Sequence, residues 1–233
     1  FITAHTGKGN AVQLHSTQEQ SAALDQQIMT RLQDAIKNEL FKLVFQPIVS
    51  LRGDSGEHYE ILLRMTGESG EDISPAEFLQ TASNRGLSKE IDRWVIEHSI
   101  SKLGAHLAKG HKTHLFINIT RETILDTTLL PWVSQLLNNA RLPGDSVIFQ
   151  ISETDATAHL KEAKEFIKGA NELLCKAAIT HFGRALNPFN TLKHLPASFV
   201  KIDGSYVTEL GNSEETREEL KTLVSSLHTL RAY

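Results

Sequence analysis

From residue 114 onward, short apolar segments that suit strands alternate with amphipathic segments that suit helices. HLFINI (114–119), VIFQIS (147–152), AAITHF (177–182) and SFVKI (198–202) are the strand segments. Between and after them, helices are predicted over 129–140, over most of 154–176, over a short stretch that follows a loop at Asn187-Pro188 and runs to Leu195, and over 213–230. Such alternation implies βα units and a parallel sheet, because each helix returns the chain to the same end of the sheet. The strand segments are nearly all apolar, as expected of strands covered on both faces.

Upstream, Phe45–Met65 reads as a hairpin: FQPIVSL, a loop RGDSGEH, then YEILLRM. Gln46, Glu60 and Arg64 sit within these apolar arms. A carboxylate in such a run is costly unless it is paired or liganded, so the arms form either a wet edge or the floor of a site. Ser74-Pro75-Ala76-Glu77 is a helix start, with Phe78, Leu79 and Ala82 as its apolar face and Gly86 as its stop. Ser88 opens a longer helix carrying Ile91, Trp94, Val95, His98 and Leu103 toward Gly110.

The first forty residues differ in kind. Residues 1–15 end in a Gly-Asn turn and a short strand that cannot form a core alone. Residues 16–40 read as a helix, capped by Ser16 and Glu19, with Leu24, Ile28, Leu32, Ala35, Ile36 and Leu40 at three- and four-residue steps. That helix either connects two domains or packs on the one that follows.

Composition narrows the function classes. Among 233 residues no apolar run approaches the roughly 20 needed to span a bilayer. The opening FITAHTGKGN lacks the basic-then-apolar pattern of a secretory leader. One cysteine, Cys175, rules out an internal disulfide framework and suits a reducing compartment. A net charge of −4 argues against non-specific nucleic-acid binding and leaves a small anionic ligand open. With both hairpin arms the strands number six, where a closed (β/α)8 barrel has eight, so further strands are expected beyond Tyr233 or the sheet is open.

In parallel α/β folds the chemistry gathers at the carboxyl ends of the strands. Those ends carry Asn118, Gln150, Ser152-Glu153, Thr180-His181, Lys201 and Asp203, to which the hairpin adds Glu60 and Arg64. Taken together they mark a site. As metal ligands they are thin, since Glu60 is the one firm carboxylate and Gln150 and Thr180 are neutral. His111 and His114, at a loop–strand junction, read as a surface pair.

These motifs, in this order, resemble the EAL family of cyclic di-GMP phosphodiesterase domains. The resemblance covers about Phe41 to Tyr233. Gln46-Pro47-Ile48 matches the opening QPI, Glu60-Ile61-Leu62-Leu63-Arg64 stands for E-A-L-x-R, and Ser74–Phe78 for S-P-x-x-F. Ile91–Val95 matches L-D-x-W-V and Asn118 the N of N-x-S. Gln150–Glu153 stands for E-x-T-E, Thr180–Gly183 for D-D-F-G, and Lys201-Ile202-Asp203 for K-I-D. The implied fold is an α/β, (β/α)8 TIM-like barrel of the EAL type, here without its last strands.

The departures from the pattern carry the functional expectation. In active members the first Glu of E-x-T-E and both Asp of D-D-F-G hold two metals, where this chain has Gln150, Thr180 and His181. The glycine-rich loop that follows is Arg184-Ala185-Leu186-Asn187-Pro188. The resemblance is therefore to degenerate EAL domains of the FimX type, which bind cyclic di-GMP without metal or other cofactor. It implies no catalysis, a ligand set of Gln46, Glu60, Leu62, Arg64, Ser74, Pro75, Phe78, Asp92, Asn118 and Lys201, and a PilZ-domain partner in type IV pilus control. Arg64 suits a phosphate, Asp92 a guanine edge, and Pro75 and Phe78 a base, with Gln46 and Leu62 on the floor. Phe78 also suits a core position, and Asp92 could pair with Arg93 or cap a helix.

By the same resemblance residues 1–15 are the tail of an upstream GGDEF-like domain, 16–40 an interdomain helix and 41–233 the EAL domain. No nucleic-acid partner or membrane insertion is expected, and the location is the bacterial cytoplasm, at the cell pole in some cases. An altered metal site built from Glu60, Asn118, His181 and Lys201, or a nucleotide-free scaffold, are the competing readings.

Overall fold

The computed structural model describes residues 26–38, 40–51, 56–67, 69–210 and 213–230. The readings placed on residues 1–15, on Ser16, Glu19 and Leu24, and on the loop at 52–55 lie outside them. The chain divides into two compact units, the first comprising the described residues up to Lys42 with Leu63–Ser88, the second Leu43–Leu62 with those from Lys89 onward. Strands β1 (Phe41–Ile48) and β2 (Glu57–Thr66) run through both.

In the first unit, helix α1 spans residues 26–37 and fully buries Leu32 and Ala35, which its three- and four-residue spacing places on one face. Leu40 lies beyond the helix and is partly exposed rather than part of that face. β3 (Asp72–Ile73), too short to be legible as a strand, pairs antiparallel with the end of β2, Met65 opposite Ile73. Helix α2 (Pro75–Asn84) starts on Pro75, whose missing N–H costs nothing at that position. Gly86 ends it in the left-handed region, and Leu87 N–H caps the Ala82 carbonyl at 2.9 Å. Phe78 and Ala82 face inward, whereas Leu79, expected with them, is 38% exposed.

In the second unit β4 (Thr113–Asn118), β5 (Val147–Ser152), β6 (Lys176–Phe182) and β7 (Phe199–Ile202) follow β2 in parallel, in the order β1-β2-β4-β5-β6-β7. The crossovers are α3 (Ser88–Leu107), α4 (Arg121–Ile124), α5 (Leu129–Ala140), α6 (Glu153–Ala158), α7 (Leu160–Glu172) and α8 (Pro188–Leu192). Helices α9 (Gly204–Glu209) and α10 (Glu214–Thr229) follow β7. The single helix expected over 154–176 is two, broken at His159, where the backbone leaves helical geometry (φ −130°, ψ 52°). The one-turn helices α4 and α9 were not legible, since neither is long enough to show a period.

The strand parity builds the interior. Phe116 of β4, Ile148 of β5 and Ala178 of β6 form a buried cluster, and Phe199 of β7 packs against it. The Phe116 and Phe199 rings meet edge-on at 5.2 Å, although β5 and β6 separate their strands. The sheet therefore curls, as in a (β/α)8 barrel, and this cluster is an inner layer. Side chains two residues further along each strand point the same way and form the next layer. Those residues are Asn118, Gln150, Thr180 and Lys201.

Cys175 is buried, and its surroundings push the thiol up to about 12, which leaves it inert.

Candidate functional site

The second layer is polar, and Glu60 is its hub. In β2 the buried residues Ile61, Leu63 and Met65 alternate with the half-buried Glu60, Leu62 and Arg64, so the strand presents two faces of opposite character. Lys201 Nζ lies 2.7 Å from Glu60 Oε2. Gln150 Nε2 donates to Glu60 Oε1 at 3.0 Å and to Asn118 Oδ1 at 3.1 Å, and Asn118 Nδ2 reaches Glu60 Oε1 at 3.4 Å. Burial pushes the Glu60 carboxyl up, but the bonds from Lys201, Gln150 and Asn118 outweigh it and hold the group below the usual carboxylate range. Gln150 itself is buried in the middle of β5, and its Oε1 has no partner among the described residues.

Beside this layer the ends of β5 and β6 form a second arrangement. Glu153, buried at the start of α6, accepts the Arg184 and Ala185 N–H groups on Oε2 at 3.0 and 3.1 Å. It thereby clamps the loop after β6. Thr180 is buried, 3.4 Å from the Ile151 carbonyl. His181 takes a left-handed backbone (φ 55°) at an irregularity in the β6–β7 pairing, which turns its side chain outward, 65% exposed. Its Nδ1 is 2.9 Å from Asp203 Oδ2. Asp203 caps α9 through the Ser205 N–H; the Ser205 hydroxyl, that N–H and His181 together hold its carboxyl at about 2. Gly183 (φ 101°) holds a backbone that other residues rarely adopt, and a Cβ there would also lie 2.9 Å from Leu223 and 3.0 Å from Tyr206.

The expected ligand-binding residues fall into both units. Glu60, Asn118 and Lys201 come together as described. Gln46 is exposed on β1, and Leu62 is half-buried on the Glu60 face of β2. Arg64, Ser74, Pro75 and Phe78 belong to the first unit. Arg64 is half-buried and donates to the Leu63 carbonyl at 2.7 Å. Ser74 and Pro75 are half-buried at the start of α2. Phe78, expected as a base partner, is a core residue: it is 1% exposed, and its ring centroid is 6.1 Å from that of Phe41.

Asp92, expected to read a guanine edge, is buried, and its Oδ2 accepts both the N–H and the hydroxyl of Thr120 at 2.7 Å. Burial, only partly offset by those bonds, raises its carboxyl to about 6. It does not pair with Arg93, which instead binds Asp126 and Thr128 and lies over the Trp132 ring.

The donor set of the polar layer does not fit a two-metal centre. Its one carboxylate already carries a lysine and two amides, the Gln150 amide nitrogen is turned toward that carboxylate, and His181 faces Asp203. A divalent pair is held by several carboxylates with free oxygens.

One grouping had no signal in the sequence. Glu57, at the start of β2, meets His106 and His111. The pair expected there, His111 with His114, is split: His114 stacks on His58 at 4.8 Å. The spacing of His106 and His111 alone does not reveal that a strand begins opposite them.

Comparison with known proteins places this geometry. The EAL domain family model matches residues 29–232. Over 183 residues the chain is 37% identical to the cyclic di-GMP phosphodiesterase PdeF of Escherichia coli, covering 78% of this chain and 24% of PdeF. The chain spans about a quarter of the length of the first curated relatives it matches. Among solved structures, the FimX EAL domain of Pseudomonas aeruginosa bound to c-di-GMP superposes with a TM-score of 0.83 at 48% identity, covering 88% of this chain and 82% of that one. The Xanthomonas citri FimX EAL domain in complex with c-diGMP gives 0.84 at 26% identity, covering 91% and 83%. The curled α/β sheet is thus the TIM-barrel-like sheet of that fold. Among the described residues no helix is long and apolar enough to cross a membrane.

Proposed function

The chain belongs to the EAL domain family, and we propose that it is a catalytically inactive receptor that binds cyclic di-GMP without metal and signals to a partner protein. One observation carries the reading. At the position where active members place a metal-holding glutamate, Gln150 donates an amide hydrogen bond to Glu60, whose other oxygen is neutralised by Lys201. Without metals nothing in this layer lowers the pKa of an attacking water toward 7, so phosphodiester hydrolysis lacks an activated nucleophile and is negligible. Ligand binding needs different groups. Arg64, always charged and able to form two parallel bonds, serves the phosphate, with Gln46, Leu62, Ser74, Pro75, Asn118 and Lys201 as further ligand contacts.

On this reading residues 1–15 end an upstream GGDEF-like domain, residues 16–40 link it to the EAL domain of residues 41–233, and the partner is a PilZ-domain protein in type IV pilus control in the cytoplasm. The likeness to FimX EAL domains supports the ligand.

Titration calorimetry of cyclic di-GMP in EDTA tests the proposal. Binding of one ligand per chain is expected, weakened by about 10- to 100-fold in Arg64→Ala, the usual worth of a charged hydrogen bond. Absence of binding heat would overturn it. A second reading, residual phosphodiesterase activity, draws on the 37% identity to PdeF. Release of linear pGpG in Mn²⁺ would favour that reading over the receptor.

A further inference from the structure

At the N-terminal ends of β2 and β4, Glu57 and Thr113 are register partners. Helix α3 ends at Leu107, and the turn that follows closes with Lys109 N–H on the His106 carbonyl and Gly110 N–H on that of Leu107. Gly110 sits at φ +88°, a conformation that glycine adopts freely, and it reverses the chain. The His111 ring thereby stacks on His106, centroids 3.9 Å apart. The Lys112 carbonyl accepts the Glu57 N–H at 2.9 Å, which fixes the turn against β2.

Three side chains converge as a result. His106 Nε2 is 3.2 Å from Glu57 Oε2, and His111 Nδ1 is 3.1 Å from Glu57 Oε1. One ligand atom from each of the three side chains lies within 4.8 Å of the other two. Thr113 Oγ1 donates to Glu57 Oε2 at 2.9 Å and orients the carboxylate. A hydroxyl bonded to a ligating carboxylate is the kind of outer contact that metal centres use. Two imidazoles and one carboxylate are a common zinc set, completed by water in the fourth position. Magnesium and calcium favour oxygen ligands and suit this set poorly. Each of the three side chains is about 40% exposed, so an ion can enter from solvent.

We propose that Glu57, His106 and His111 form a Zn²⁺ site that ties the end of α3 and the turn after it to the first residue of β2. This site is separate from the polar layer around Glu60 and does not depend on the receptor reading.

The test is calorimetric titration of Zn²⁺ into the EDTA-stripped, dialysed full chain. One tight ion per chain is expected. His111→Gln and Glu57→Gln should abolish that binding, and Thr113→Val, which keeps the shape and removes the orienting hydroxyl, should weaken it by about 10- to 100-fold. Because the chain has 11 histidines, wild-type imidazole NMR resonances locate the ion without any substitution. Zinc-dependent shifts at His106 and His111 support the site. Shifts centred on His58 and His114, or unchanged zinc affinity in His111→Gln, overturn it.

Discussion

Lys201 Nζ and Glu60 Oε2 are 2.7 Å apart, although β4, β5 and β6 separate their strands in the sheet order. The contact crosses the interior, just above the layer where Phe116 meets Phe199. It joins β2 to β7 through charge, where the layer below joins β4 to β7 through packing.

Lys201→Met removes the cation and leaves Glu60, whose side chain is 18% exposed, with two neutral donors. An unpaired, largely buried carboxylate costs about 1–3 kcal/mol, to be read in urea unfolding at pH 7. Acidification should narrow the deficit. A carboxyl held below its usual range adds stability above that range and loses it as pH falls through the folded-state value.

Gln150→Glu would set a second carboxylate where an amide nitrogen now lies 3.0 Å from Glu60. Two such groups cannot both ionise cheaply. We expect a loss of about 1–3 kcal/mol in EDTA, partly restored by millimolar Mn²⁺, with thermal unfolding as the readout. No Mn²⁺ rescue would mean that the layer cannot hold a divalent ion even with the carboxylate restored.

Asp92 titrates in the opposite sense to Glu60. Its carboxyl rises from 3.8 to about 6 on folding, so its contribution is most favourable below the unfolded value and is lost as pH rises through the folded one. Between pH 4 and 6 the wild type should lose up to about 3 kcal/mol relative to Asp92→Asn, which cannot ionise. Chemical denaturation of both proteins across pH 3.5–7.5 measures the difference directly. Parallel curves would mean that the bonds from Thr120 keep the group charged.

Phe78→Ala should destabilise the fold by about 3–5 kcal/mol, as truncation of a buried aromatic ring does, whether or not any nucleotide is present. Urea midpoints with and without cyclic di-GMP separate a core role from a ligand contact. An effect seen only with nucleotide would return Phe78 to the binding surface.

The parts of this protein legible in its sequence are those that repeat over a local period. The apolar runs of β4, β5 and β6 could be read because these strands are largely covered on both faces, and β7, half-buried along its length, from its apolar residues. The helices α5 and α10 could be read because each is long enough to show a stripe. The capping signal of Ser74-Pro75 placed the start of α2 to the residue. By contrast β3, α4 and α9 span too few residues to carry a period, and the break at His159 is a backbone event that no residue type announces.

What the sequence alone determined is which residues this chain holds at the strand ends, including the neutral Gln150 and Thr180 where the resembling family holds carboxylates. What only the tertiary structure decided is what those residues touch. Strand parity could say that Gln150 and Lys201 point inward, but the curl of the sheet brings both to Glu60, and it is set by packing of the layer beneath. Whether Phe78 meets solvent or Phe41, and whether His111 meets His114 or Glu57, likewise rests on contacts between segments far apart in the chain. Local periodicity carries no information about such contacts, because their geometry is the sum of many packing terms, each of them small.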